Sequence, residues 1–494
     1  MKKAAFIIVI LSFLLSSCPG GGGDLSSGSR KFWTQNAVTE AFYQIEAELL
    51  ASNSRCEIWA EKNSGVTVAM ANATAAAYNI VYSRMMNWFG YYVKHPGGTS
   101  DIMEYANLVA KGNRADGKLT ILLLDIKDTY QQGVRDSYVA GYFWSGDLFQ
   151  NNPLDALLKY SNELDMIYMD IYPGILGTDE FNATLAHEMQ HLINFVSSAW
   201  VDTKRTKVMD TWIDEGLSGA AEWVYLQKHP ASRILWYNAD KSGLIKKGNN
   251  FFVWGNRTGA GPEQDAVLDD YATTYLFFQW LRLQTNNDIY RNILLSQFYD
   301  HNAITSEYGG SPSWSTLLSN WLAANYLGNS GTSPWGYRSD SALNKLTKHY
   351  APGNGGSQTT IPLFPGEGVY SYVSGSALTM PTGPANISYG GLGGGTLSPT
   401  GSIPVGDALL TYNTSTAKTY NTDGTESGTG ASGTITGAVP SISPFLGSAN
   451  TSIAQRAPFG PFPISISDAR KQRGASRNFG FELVRPAERA NIHE

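Results

Sequence analysis

The segment Phe181-Asn182-Ala183-Thr184-Leu185-Ala186-His187-Glu188-Met189-Gln190-His191-Leu192-Ile193-Asn194-Phe195 constrains this chain more than any other. Phe181, Leu185, Met189, Leu192 and Val196 recur at helical spacing, so the segment reads as a helix with a core-facing stripe. Asp179 and Asn182 are suitable residues for its start. His187 and His191 are four apart and therefore project together, about one turn from each other. Two imidazoles so placed can share one tetrahedral zinc ion held by a rigid element. Glu188 lies about 100° around the same helix, beside such an ion rather than on it. There it is placed to take a proton from metal-activated water and pass it on. A pair of histidines in so apolar a segment needs a partner of this kind, because unpaired buried imidazoles are costly.

A reactive metal site takes a third protein ligand and keeps a fourth position open. Gly at 194 and His at 197 would extend the motif along the same segment, but Asn194 and Ser197 stand there. Further on, Thr211-Trp212-Ile213-Asp214-Glu215-Gly216-Leu217-Ser218-Gly219-Ala220-Ala221-Glu222-Trp223-Val224-Tyr225 reads as a second helix, packed through Trp212, Leu217, Ala220, Ala221 and Val224. It carries Glu215 and, two turns along the same face, Glu222. Either carboxylate can reach the histidines across a helix pair.

These two segments make the sequence similar to the hyicolysin-like zinc metallopeptidases, the M30 group, in the manner of the gluzincins. The similarity extends from about Lys118 to Trp321. It implies a zincin-like metallopeptidase fold, one zinc ion per chain, and a polypeptide substrate. By the same resemblance His187, His191 and Glu215 are the metal ligands and Glu188 is the general base. A tyrosine downstream of the ligand helix serves some gluzincins as an oxyanion donor. Tyr271 and Tyr275 open the helical run Asp270–Trp280 on one face, and Tyr271 is the first choice for that role. Two departures stand out. Asp214 replaces the Asn of Asn-Glu-Gly, and position 219 is Gly, so the carboxylate four residues after the ligand in thermolysin is missing. Asp214 and Glu222 are then the candidates for orienting the histidines from outside.

The remaining sequence sets the context. The chain has 494 residues, 42% of them apolar, which is long enough for several domains and too apolar for wholesale disorder. Its net charge of -6, with no long basic run, argues against a nucleic-acid partner. Lys2 and Lys3 followed by the apolar run Ala4–Leu15 read as a signal peptide, too short to span a bilayer comfortably. Leu15-Ser16-Ser17-Cys18 resembles a bacterial lipobox, which implies a lipid anchor at Cys18 and a place in the bacterial cell envelope, facing periplasm or exterior. Residues 1–17 are then the leader, 18–30 a Gly-rich tether, 31–350 the metallopeptidase domain and 351–494 an accessory region. The other cysteine, Cys56, sits in a strand-like stretch and reads as a core residue.

Lys118–Ile126, Tyr138–Trp144 and Asp165–Ile171 read as strands and Ala71–Val93 as a helix, with helices following from Asp179. That order gives an α+β class. The strand ending at Asp170, or a neighbour, is expected to lie along the substrate cleft. From Ala351 to Asn450 the chain has 20 glycines and five charged residues, Glu367, Asp407, Lys418, Asp423 and Glu426. This stretch reads as mostly β or partly irregular. His229, His301, His349 and His493 lack paired spacing and read as local hydrogen-bonding residues. Two other classes are compatible with the sequence. One is an adhesin-like surface lipoprotein whose zinc site is structural or vestigial. The other is a zinc aminopeptidase, although that family's amine-binding segment is not visible.

Overall fold

The computed structural model describes residues 28–90, 92–95, 98–100, 118–132, 137–149, 151–199, 205, 207–248, 251–254, 267–351, 358–420, 426–436, 454–455 and 482–484. Cys18, the leader and most of the tether lie outside the described residues, as does His493.

A mixed six-stranded sheet carries the first half. Its strands are β1 (Ser29–Gln35), β2 (Phe42–Ser52), β3 (Cys56–Glu61), β4 (Leu119–Leu124), β6 (Gly141–Tyr142) and β7 (Met166–Asp170). Their spatial order is β1-β2-β3-β4-β7-β6. β3, β4 and β7 run parallel, and β6 closes the sheet antiparallel to β7, with Gly141 opposite Met169. Tyr138–Val139, β5, instead pairs with Ala454–Gln455, so the Tyr138–Trp144 run is broken into two short strands.

β4 and β7 are buried along their whole length because both faces are covered, which is why they read as unbroken apolar runs. Ile121, Leu123, Ile167 and Met169 face the helices. Leu122, Leu124, Met166 and Tyr168 face Phe32, Tyr142 and Trp144. Being paired on both sides, β7 offers no open edge; the terminal strand is its neighbour β6. Cys56 is buried in β3, and burial pushes its thiol up to about 12. It is a core residue and not a nucleophile.

Helix α1 (Val68–Trp88) begins at Thr67, whose side chain accepts from Met70 N–H. It stops five residues short of the expected Val93. A side chain at Gly90 would meet the Met86 backbone at 2.7 Å, so the chain turns tightly there, and Tyr92–His95 is a strand. Helix α2 (Asp179–Ala199) follows β7. Its start is capped by Thr178, whose hydroxyl accepts from Phe181 N–H at 3.2 Å; Asn182 lies inside the helix. Every residue from Phe181 to Ala199 is buried, so the expected stripe is one side of a helix enclosed all round.

Helices α3 (Thr211–Leu226), α4 (Ala231–Ala239), α5 (Val267–Gln284), α6 (Ile289–Leu295), α7 (Asn302–Glu307) and α8 (Trp314–Leu327) complete the α part. The architecture is α+β. Beyond Tyr350 the described chain is mainly strands, including β8 (Thr359–Leu363), β9 (Gly368–Tyr372), β10 (Ile387–Gly393), β11 (Thr396–Ser398), β12 (Ala408–Asn413), β13 (Lys418–Tyr420), β14 (Glu426–Gly428) and β15 (Ala431–Ile435). Tyr370, Leu392, Ala408, Leu410 and Tyr412 join the same hydrophobic core as α2, α3, α5 and α8. Among the described residues no helix is long and apolar enough to cross a membrane.

Candidate metal centre

Helix α2 presents His187, His191 and Asn194 to α3. His187 and His191 meet at 4.7 Å between ring centroids. From α3, Glu215 brings one oxygen, Oε2, to 3.2 Å from His187 Nε2 and 3.6 Å from His191 Nε2. Ligand atoms of these three residues lie within 4.8 Å of one another, and all three are buried. The structure thus brings together the three residues expected as ligands. Two imidazole nitrogens and a carboxylate oxygen form a donor set suited to zinc with an open position. The fit does not rest on proximity alone, because each imidazole is already fixed through its other nitrogen.

His187 Nδ1 lies 2.9 Å from Glu222 Oε1, and His191 Nδ1 lies 2.9 Å from Asp214 Oδ2. Both carboxylates expected to orient the histidines therefore do so, one each. With Nδ1–H donated to a carboxylate, Nε2 is left as the lone-pair donor toward the shared point. Glu222 occupies this supporting position, while Glu215 alone faces both Nε2 atoms. Without a metal, burial opposes a charged imidazole at His191, but Asp214 and Glu215, with Glu188 behind them, outweigh it and raise the group to about 9, so a bound metal takes the place of a proton there.

Three further residues hold this arrangement, none of them marked in the sequence. Arg233 of α4 donates from Nη2 to Glu222 Oε1 at 2.7 Å and from Nε to Oε2 at 3.2 Å, a two-point clamp that fixes the carboxylate plane. Asn194 donates to Asp214 Oδ1 at 2.5 Å, and Ser218 Oγ lies 3.1 Å from His191 Nδ1. Asn194 stands where the extended motif would have Gly; its amide serves the site indirectly. Arg233 had no periodic signal to find it by.

Glu188 is buried beside the triad under the terminal strand. A Cβ added to Gly141 of β6 would come within 3.2 Å of Glu188 Cγ, so glycine there lets the strand backbone cross close above the acid. Gly216, next to Glu215, answers a similar demand: a Cβ would lie 2.2 Å from the Phe278 ring of α5. Tyr271 of α5 is buried and donates to Glu215 Oε1 at 3.2 Å. Tyr275, one turn later, points to His229 instead, 2.6 Å from its Nδ1. His229 also meets Asp340 at 2.6 Å, and His349 Nε2 meets the Tyr237 carbonyl at 2.7 Å, so both histidines are engaged locally.

Space exists on both sides of the triad. A cavity of about 280 Å³ is lined by Tyr138, Glu180, Thr184, Glu222, His229 and Arg233. Toward the other end of α2, a smaller pocket is lined by Phe143, His191, Phe195 and Met209.

The chain is 37% identical over 188 residues to the neutral metalloprotease ShpI of Staphylococcus hyicus. That stretch is 36% of this chain and 38% of the relative, so the chain matches little more than a third of the relative's length. The similarity agrees with the M30-type resemblance read from the motif. No family model matches the chain.

Proposed function

We propose that this chain is a zinc-dependent endopeptidase, with His187, His191 and Glu215 as the ligands and Glu188 as the general base. The convergence of these three ligand groups, each histidine held by its own carboxylate, carries the reading. The likeness to a neutral metalloprotease supports it. A zinc ion bound there supplies Lewis acidity toward water and the scissile carbonyl.

The protein's own groups do the rest. Glu188 accepts a proton from the attacking water and delivers it to the leaving amine, a role for which its position beside the ligands is suited. Tyr271 Oη is assigned to the developing oxyanion, exchanging its bond to Glu215 for one to substrate. The terminal strand Gly141–Tyr142 pairs with an extended substrate backbone, which would lie between the two pockets flanking the triad. The substrates are proteins of the bacterial envelope or exterior, reached by a chain anchored through a lipid on Cys18.

The test uses the chain from Gly20 onward beside its Glu188→Ala variant. Wild type is expected to hold one zinc and cleave casein and N-terminally blocked peptides. The variant is expected to hold zinc with kcat lowered by about 10²–10⁴-fold or more. Absence of zinc from the wild type, or undiminished cleavage by the variant, would overturn the assignment. Cleavage restricted to free N-termini would make it an aminopeptidase.

A further inference from the structure

Helix α3 begins in an unusual way. Asp210 stands at its N-cap, but its side chain makes no cap hydrogen bond. Instead Asp210 Oδ2 faces the ammonium of Lys418 at 2.8 Å and accepts from Trp212 Nε1 at 3.3 Å. The first N–H of the helix, that of Thr211, is taken by Glu426 Oε1 at 3.3 Å. Lys418 and Glu426 belong to β13 and β14, far along the chain, and they pair with each other at 2.8 Å. Lys418 also donates to the Phe252 carbonyl at 2.8 Å, and Glu426 Oε2 accepts from Trp254 N–H at 3.4 Å.

This cluster is closed off from water. The side chains of Lys418, Asp210 and Glu426 are 2%, 1% and 2% exposed. In a Gly-rich region with only five charges over a hundred residues, two of the five are committed to one helix end. Buried ion clusters seldom add net stability over apolar packing of equal volume, since desolvation offsets the attraction. What they specify is position. Here the position concerns the metal centre by two routes. Asp214 lies in the anchored first turn and Glu215 follows it directly, so a displacement of Thr211 moves both. Trp254, whose N–H is held by Glu426, also sets its indole edge-on against Tyr271 at 5.0 Å, and Tyr271 donates to Glu215.

We infer that the β13–β14 hairpin is a built-in positioning element of the metal centre, with Lys418 and Glu426 as positioning residues that set where Asp214 and Glu215 stand. The inference rests on the metal-site reading above. On this view the C-terminal strands complete the catalytic unit, in place of serving as a detachable adhesive module.

The experiment is done on the chain from Gly20 onward with Glu426→Gln, which keeps the side chain's size and one acceptor oxygen, enough for one of the two N–H groups, and removes the charge, and with Lys418→Met as the harsher variant. Zinc affinity is read by chelator competition, turnover with a blocked peptide, and backbone order by amide hydrogen exchange. Glu426→Gln is expected to keep native circular dichroism and to weaken zinc binding by about tenfold or more, the usual range for groups that orient ligands. It should lower kcat with little change in KM and speed exchange at residues 211–215 relative to α1. A lower melting temperature with unchanged zinc affinity, kcat and exchange at 211–215 would reduce the cluster to structural glue and overturn the inference. If Lys418→Met fails to fold, Glu426→Gln alone decides. A wild type that binds no zinc would instead defeat the metal reading, and the exchange at 211–215 would still decide whether the hairpin sets the helix end.

Discussion

His191 is flanked at its two ring nitrogens by two consecutive residues. Asp214 Oδ2 lies 2.9 Å from Nδ1, and Glu215 Oε2 lies 3.6 Å from Nε2. Adjacent side chains of a helix diverge by about 100°, so the imidazole sits in the notch between them. This explains how Asp can stand where related motifs have Asn: its carboxylate is the partner that fixes the ring.

Asp214→Ala should therefore act on the metal more than on the fold. Ser218 would still border His191, but the carboxylate that raises its basicity, and that Asn194 holds, would be gone. Zinc affinity is expected to drop about 10–100-fold, measured by competition with a chelator at fixed pH. An unchanged affinity would show that the ring needs no such partner.

Tyr271→Phe separates two roles of one hydroxyl. As the oxyanion donor it should cost about 10²–10³ in kcat while KM and zinc content stay near wild type. Were the hydroxyl only a support for Glu215, zinc affinity would fall and saturating metal would restore turnover. Steady-state kinetics at two zinc concentrations distinguish these outcomes.

A pH effect on stability is expected away from the metal. Asp147 is buried and accepts from Asn162 N–H at 2.8 Å and from Tyr168 Oη at 2.6 Å, yet burial outweighs these bonds and pushes it up to about 7. Its folded value thus exceeds the unfolded one, near 3.9. Between those values the native state binds more protons than the unfolded state, so this group's contribution declines as pH rises from about 4 to about 7. Asp147→Asn has no such titration. The variant's melting temperature should gain on wild type as pH is raised from 5 to 8, and a constant difference would contradict the assignment.

Local signals in the sequence reached far into this site. The four-residue spacing of His187 and His191 needs only a helix to become geometry, and the apolar stripe supplied that helix. The fully buried strands β4 and β7 were visible as unbroken apolar runs, within a residue or two at either end. Contacts set by tertiary packing were not visible. Arg233 reaches Glu222 from a separate helix, and nothing in its neighbourhood distinguishes it from other arginines. The hairpin of β1 and β2, with its alternation of exposed and buried residues, went unread because its polar positions dilute the apolar signal. The end of α1 was placed too late because Gly90 carries no periodic signal, only a steric one.

The bond between Thr211 and Glu426 joins residues 215 positions apart. Ribosomes deliver chains from the N-terminus, so both histidines and Glu215 emerge long before the groups that fasten the helix end. Contacts so distant in sequence also form slowly, because a long loop must close first. A site assembled in this order stays blunt while the chain is being made, and acquires its edge only when nearly all of it is present.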